Sequence, residues 1–143
     1  MAGGFQGVHL ELHSSIDVLD EVQLVAEDVG RQLGLDQDAI HWTSMAVRES
    51  VINAITHGNR SDSRKLVFVD FRMTIGPGTR DLVVSVRDQG QGFDPTRLED
   101  PLAPDNVLKA SGRGIFLIRQ FMDDVSIQPA RDGGMEVRMV KHV

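Results

Sequence analysis

The chain has 143 residues, 41% of them hydrophobic and 25% charged, with 21 acidic against 15 basic residues and a formal charge of −6. These proportions suit one soluble globular domain with a proper core, and the acidic balance argues against a nucleic-acid partner held on a general basic surface. There is no cysteine, so disulfides and thiolate metal sites are excluded, and without a signal-like N-terminus or a long apolar run the expected compartment is the cytoplasm, with no membrane partner.

In chain order, Val8-His9-Leu10-Glu11-Leu12 alternates as a short strand does. Over 16–33, Val18, Val22, Val25 and Val29 form a helical stripe, with Ser14 or Ser15 to cap its start and Gly34 to end it. Asp36 offers the N-cap of a second helix, Asp38 lies in its first turn, and His57-Gly58-Asn59 marks its exit. Inside that helix Glu49, Asn53 and His57 stand four residues apart, so each is offset from the last by only about 40°. Their companions in that sector are Trp42, Met45, Ala46 and Ile52, and the opposite stripe is Ile40, Val47, Val51, Ala54 and Ile55. A helix apolar nearly all round is a buried one, and a buried carboxylate is costly unless something pairs with it. Something should therefore sit against Glu49 and Asn53. His57 reads as a cap or a packed core histidine, and Trp42 and the methionines read as core.

Further on, Val67, Val69, Phe71, Met73 and Ile75 share one face of a strand. Gly76-Pro77-Gly78 turns the chain, and residues 81–88 return as a second strand. From 90 to 114 the texture changes to Gly, Pro, Asp and Asn with little periodicity, a length of loop that is functional or disordered. A helix resumes over 115–124, and two more strands follow, turned at Asp132-Gly133-Gly134. The count of four or five strands and three helices predicts an α+β fold in one domain, 1–143. The expected form is a two-layer sandwich, a mixed but mainly antiparallel sheet covered on one face by about three helices.

Two glycine clusters flank the long loop: Asp88-Gln89-Gly90-Gln91-Gly92 at a strand end, and Gly112-Arg113-Gly114 opening a helix. Glycine lets backbone approach a ligand closely, and a glycine turn entering a helix presents free N–H groups to an anion. Each cluster alone also reads as a tight turn or a loop exit. Neither is a P-loop or a dinucleotide fingerprint, because the strand–glycine–helix context is missing.

Taken together and in order, Glu-x-x-x-Asn-x-x-x-His, Asp-x-Gly-x-Gly and Gly-x-Gly resemble the Bergerat-type ATP-binding domain shared by gyrase, the Hsp90 chaperones, histidine kinases and MutL. Within that superfamily, residues 48–59, 88–95 and 111–125 are similar to the anti-sigma-factor serine kinases. The resemblance implies that Glu49 is the general base and that Asn53 holds Mg²⁺ bridging the phosphates of ATP. It implies that Asp88 accepts from the adenine amino group beside Gly90 and Gly92. It also implies that residues 93–111 form a lid, with Lys109, Gly112, Arg113 and Gly114 at the polyphosphate. The chain departs from the pattern at Ala110, where relatives often carry a basic residue, and at Met135, where many carry threonine.

The function this implies is a protein serine/threonine kinase that phosphorylates a serine of an anti-anti-sigma antagonist and sequesters a sigma factor, as a homodimer. A different class is a binding module in which ATP only sets a partner surface and no phosphate moves; Glu49 argues against it, since a pure binder needs no carboxylate beside the phosphates. A detached sensor histidine kinase lacks its phospho-accepting hairpin here, and a gyrase- or MutL-like ATPase would need a transducer domain.

Overall fold

The computed structural model describes residues 5–90, 114–131 and 133–143. Strand β1 (Val8–His13) leads through a short 3₁₀ turn, Ile16–Val18, into α1 (Leu19–Gln32), and α2 (Gln37–Asn53) follows after a four-residue connection. Strands β2 (Leu66–Gly76) and β3 (Thr79–Arg87) form a hairpin; then come α3 (Gly114–Phe121), β4 (Asp124–Pro129) and β5 (Met135–His142). The sheet order is β1-β2-β3-β5-β4. Every pairing is antiparallel, so the mixed sheet expected from sequence is antiparallel throughout. The α+β architecture itself is as expected. Among the described residues, no helix is long and apolar enough to cross a membrane.

The element ends follow from local chemistry. Ser15 Oγ accepts from the Asp17 N–H at 3.3 Å and caps the 3₁₀ turn. Asp36 Oδ1 accepts from the Ala39 N–H at 2.7 Å and caps α2, satisfying a donor that the first helical turn would leave free. Gly34 takes φ +79 just beyond α1, the left-handed residue that ends a helix cheaply when no Cβ is present. Pro77-Gly78 closes the β2–β3 hairpin, with Gly78 at φ +72.

One apolar layer lies between the helices and the sheet. Val22 and Val29 of α1, Val47 and Val51 of α2 and Ile118 of α3 pack over Val67, Val69 and Phe71 of β2 and over Met139 of β5. Of the stripe expected on the first helix, Val22 and Val29 are buried while Val18 and Val25 are half-buried. The helix starts at Leu19 rather than Ile16, so Leu19 and Ala26 share the inner face. Met122 and Met139 are buried, as expected. Trp42 is not core. It is 42% exposed, stacked on Phe121 with ring centroids 4.2 Å apart and edge-on to His41. An indole buries much of its area against one other ring without entering the interior.

The second helix ends differently from a regular α-helix. Residues Ala54–Gly58 form a π turn, closed by the Asn59 N–H to the Ala54 carbonyl at 2.8 Å. A bond reaching back five residues adds a residue to the turn. The four-residue step that aligns Glu49 with Asn53 therefore does not carry His57 along with them. His57 is exposed, and so is not the packed histidine considered above. Past the turn, Arg60 and Ser61 both sit at positive φ, 51 and 58, which reverses the chain toward β2.

Two buried side-chain atoms of α2, Thr43 Oγ1 and Asn53 Nδ2, lack a partner among the described residues. Thr43 is 1% exposed, yet its Oγ1 makes no hydrogen bond. A buried hydroxyl left unpaired costs roughly 1–3 kcal/mol. Thr43→Val keeps the shape and removes the hydroxyl, so the protein should become more stable by about 1 kcal/mol. Urea unfolding of both proteins measures this; a less stable variant would mean the hydroxyl is satisfied in solution.

Candidate active site

Helix α2 carries Glu49 and Asn53 one turn apart, both half-buried rather than fully buried as the apolar pattern predicted. Nδ2 of Asn53 is itself buried and has no hydrogen-bond partner. Glu49 forms no salt bridge among the described residues. Two polar groups on one helix face thus have no partner among the described residues. An amide oxygen and a carboxylate are hard donors that suit a magnesium ion, which takes one or two protein oxygens and fills the rest of its shell with phosphate and water. The donor set at Asn53 fits the ion that the sequence implied.

Asp88 directly follows β3 and is 5% exposed. Its Oδ1 accepts from the Gly90 N–H at 2.8 Å and from the Met135 N–H at 3.1 Å. Its own N–H donates to the Met135 carbonyl at 3.0 Å. Met135 thus fixes Asp88 through backbone atoms, whatever its side chain, so the missing threonine does not loosen this arrangement. Burial pushes the Asp88 carboxyl above its ordinary 3.8, opposed by the N–H groups of Gly90 and Met135 and by the charge of Lys65.

Three glycines close around this carboxylate. A Cβ added at Gly58 would collide with Asp88 Oδ2, one at Gly90 with the Gly58 carbonyl, and one at Gly134 with the Asp88 carbonyl. Gly58 ends the π turn that begins directly after Asn53, so the helix exit lies directly against Asp88. The structure therefore brings the exit of the helix that carries Glu49 and Asn53 against Asp88 and Gly90. Gly114 is the first residue of α3. Gly92, Lys109, Gly112, Arg113, the Ala110 departure and the lid expected over 93–111 lie outside the described residues.

Sequence reasoning missed several participants. Gly58 and Gly134 read as a helix exit and a turn, because only the fold brings them to Asp88. Asn59 also read as part of the exit. It is 0% exposed, and its amide binds Ser14, Leu66 and Gln89. A polar residue just past a predicted helix end, with no solvent role, was the one signal available.

Comparison with known proteins places the fold. A family model described as the histidine kinase-like ATPase domain matches residues 12–141. A serine-protein kinase RsbW of Staphylococcus epidermidis is 27% identical over 142 residues, covering 95% of this chain and 86% of that protein. A serine-protein kinase RsbW of Bacillus cereus (strain AH820) is 25% identical over 145 residues, covering 97% and 86%. Among solved structures, the RsbU and RsbW domains of Rv1364c from Mycobacterium tuberculosis superpose with a TM-score of 0.67 at 20% identity. That match covers 96% of this chain and 32% of the solved one, so the chain spans about a third of that protein, and the likeness speaks to fold.

The raised Asp88 carboxyl has a pH signature. A carboxyl whose folded value lies above its unfolded one contributes stability that is fully present below the unfolded value and lost as pH rises through the folded one. Asp88→Asn cannot titrate. Wild-type stability relative to this variant should therefore fall as pH rises from about 4 toward neutrality. Urea titrations across that range test this, and a difference independent of pH would mean that burying the carboxylate carries no cost.

Proposed function

The chain belongs to the histidine kinase-like ATPase domain family, and from that premise we propose that it is an ATP-dependent protein serine/threonine kinase of the anti-sigma-factor type. The observation that carries this reading is the pair Glu49 and Asn53, one turn apart on the helix whose exit packs against Asp88, with Asn53 Nδ2 unpartnered among the described residues. A domain that only bound nucleotide would have no use for a half-buried carboxylate there. The substrate is a serine of an anti-anti-sigma antagonist, and the same protein sequesters a sigma factor. It works as a single domain over 1–143, as a cytoplasmic homodimer.

In this reading Asp88 recognises the base. Its two oxygens have different tasks: Oδ1 is occupied by the Gly90 and Met135 N–H groups, and Oδ2 is the acceptor offered to an exocyclic amino group. Asparagine cannot serve both sides, because its amide has one acceptor only. Asn53 would hold Mg²⁺ through its amide oxygen, and the ion, when bound, would supply charge neutralisation at the phosphates. Glu49 accepts the proton of the incoming serine as its hydroxyl oxygen bonds to the γ-phosphorus and the bond to ADP breaks. Gly90 and Gly92 lie beside the base, while Lys109, Gly112, Arg113 and Gly114 serve the phosphates.

Two experiments test the assignment. Asp88→Asn should weaken ATP binding by about tenfold or more, read by calorimetry, and unchanged affinity would remove Asp88 from the site. Glu49→Gln keeps shape but not basicity, and a positioned base contributes about 10²–10⁴-fold. With labelled ATP, Mg²⁺ and the products of neighbouring genes, this variant should bind ATP nearly normally and almost cease to transfer phosphate. Asn53→Ala should lose Mg²⁺-dependent binding as well as transfer. Wild-type phosphorylation by Glu49→Gln would favour the ATP-gated binding module instead.

A further inference from the structure

The β2–β3 ladder ends at the pair Phe68 and Arg87, one residue before Asp88. On the β5 side, Asp88 is then held by its exchange of bonds with Met135. On the β2 side no strand pairing remains, and two side chains take its place. Asn59 Oδ1 accepts from the Gln89 N–H at 2.7 Å, and Gln89 Oε1 accepts from the Leu66 N–H at 2.7 Å. The other end of the Asn59 amide donates to Ser14 Oγ at 2.7 Å and to the Leu66 carbonyl at 2.9 Å. Ser14 Oγ in turn donates to the Lys65 carbonyl at 2.9 Å.

The orientation of this amide is fixed by its neighbours. Reversed, it would set a donor against the Gln89 N–H and an acceptor against the Leu66 carbonyl. The backbone of Asn59 closes the π turn that follows Asn53. A single buried residue therefore connects the helix bearing Asn53 and Glu49 to the peptide that immediately follows Asp88.

We infer that Asn59 is a positioning residue for base recognition: by holding the Gln89 peptide, its buried amide aims the Asp88 carboxylate at the exocyclic amino group of the base. This rests on the proposed reading of Asp88. Asn59 touches neither substrate nor reacting atoms. Its effect is confined to the one contact that depends on where Asp88 points, so it sets selectivity for the amino group and leaves the rest of nucleotide affinity to other residues.

The test compares ATP with purine riboside triphosphate, the same nucleotide without the amino group, by calorimetry in the presence of Mg²⁺. The wild-type protein should prefer ATP by about tenfold. In Asn59→Ala the ratio should fall toward one, through weaker ATP binding, while affinity for the analogue stays within about twofold. Gln89→Ala removes an exposed side chain whose bond is to the Leu66 N–H, and should lower the ratio by a smaller step. It decides the matter if Asn59→Ala does not fold. A ratio unchanged from wild type, whether both affinities hold or fall together, overturns the positioning role and leaves the reading of Asp88 intact. A wild-type protein that does not distinguish the two nucleotides overturns both.

Discussion

The site depends on how closely three stretches of backbone approach around one carboxylate. The end of the π turn, the residues after β3 and the start of β5 meet at Gly58, Gly90 and Gly134, with no room for a methyl group at any of them. Asp88 is buried in that junction. Its place relative to α2 is therefore set by main-chain packing and by the Asn59 amide, not by long side chains that could repack. A recognition group on such a support keeps its geometry before a ligand arrives, which is what preorganised binding requires.

The same junction explains why the polar groups of the site can be tolerated. Asp88 is desolvated, Asn53 has an unpartnered buried nitrogen, and Arg60 and Ser61 hold strained backbone next to both. Each of these works against folding by an amount of order 1–3 kcal/mol. The continuous packing of α1, α2 and α3 on the sheet offsets them. An unpartnered buried amide before the π turn and left-handed residues after it are the kind of local cost that a binding site carries.

What was legible in the sequence was carried by near neighbours along the chain. Alternation identified β2 and the side that Val67, Val69 and Phe71 bury, although Ile75 on the same side is 76% exposed; Asp36 marked the start of α2, and Gly34 and Pro77-Gly78 marked turns, because each acts within a few residues. Glu49, Asn53 and Asp88 were assigned their roles only through the resemblance of their motifs to a known family. The π turn was not legible, since nothing in Ala54-Ile55-Thr56-His57-Gly58 distinguishes a bond to the fifth residue back from one to the fourth; it left His57 exposed. Trp42 was misjudged because its partner, Phe121, lies far along the chain, so the pattern on α2 alone assigned it to the core. Asn59, Gly58 and Gly134 acquire their roles only when the sheet brings residues many positions apart together.

The Asp-x-Gly spacing then has a physical cause. Asp88 Oδ1 accepts from the N–H two residues on, the short side-chain turn that aspartate favours. That turn brings Gly90 against the Gly58 carbonyl, which excludes any larger residue there. The same turn, with the Met135 N–H, occupies Oδ1 and leaves Oδ2 directed at Gly58 and the helix exit. Reading Asp88-Gln89-Gly90 as a tight turn and reading it as a ligand contact are therefore not rivals. The turn consumes one oxygen of the carboxylate, and by doing so it fixes where the other must point.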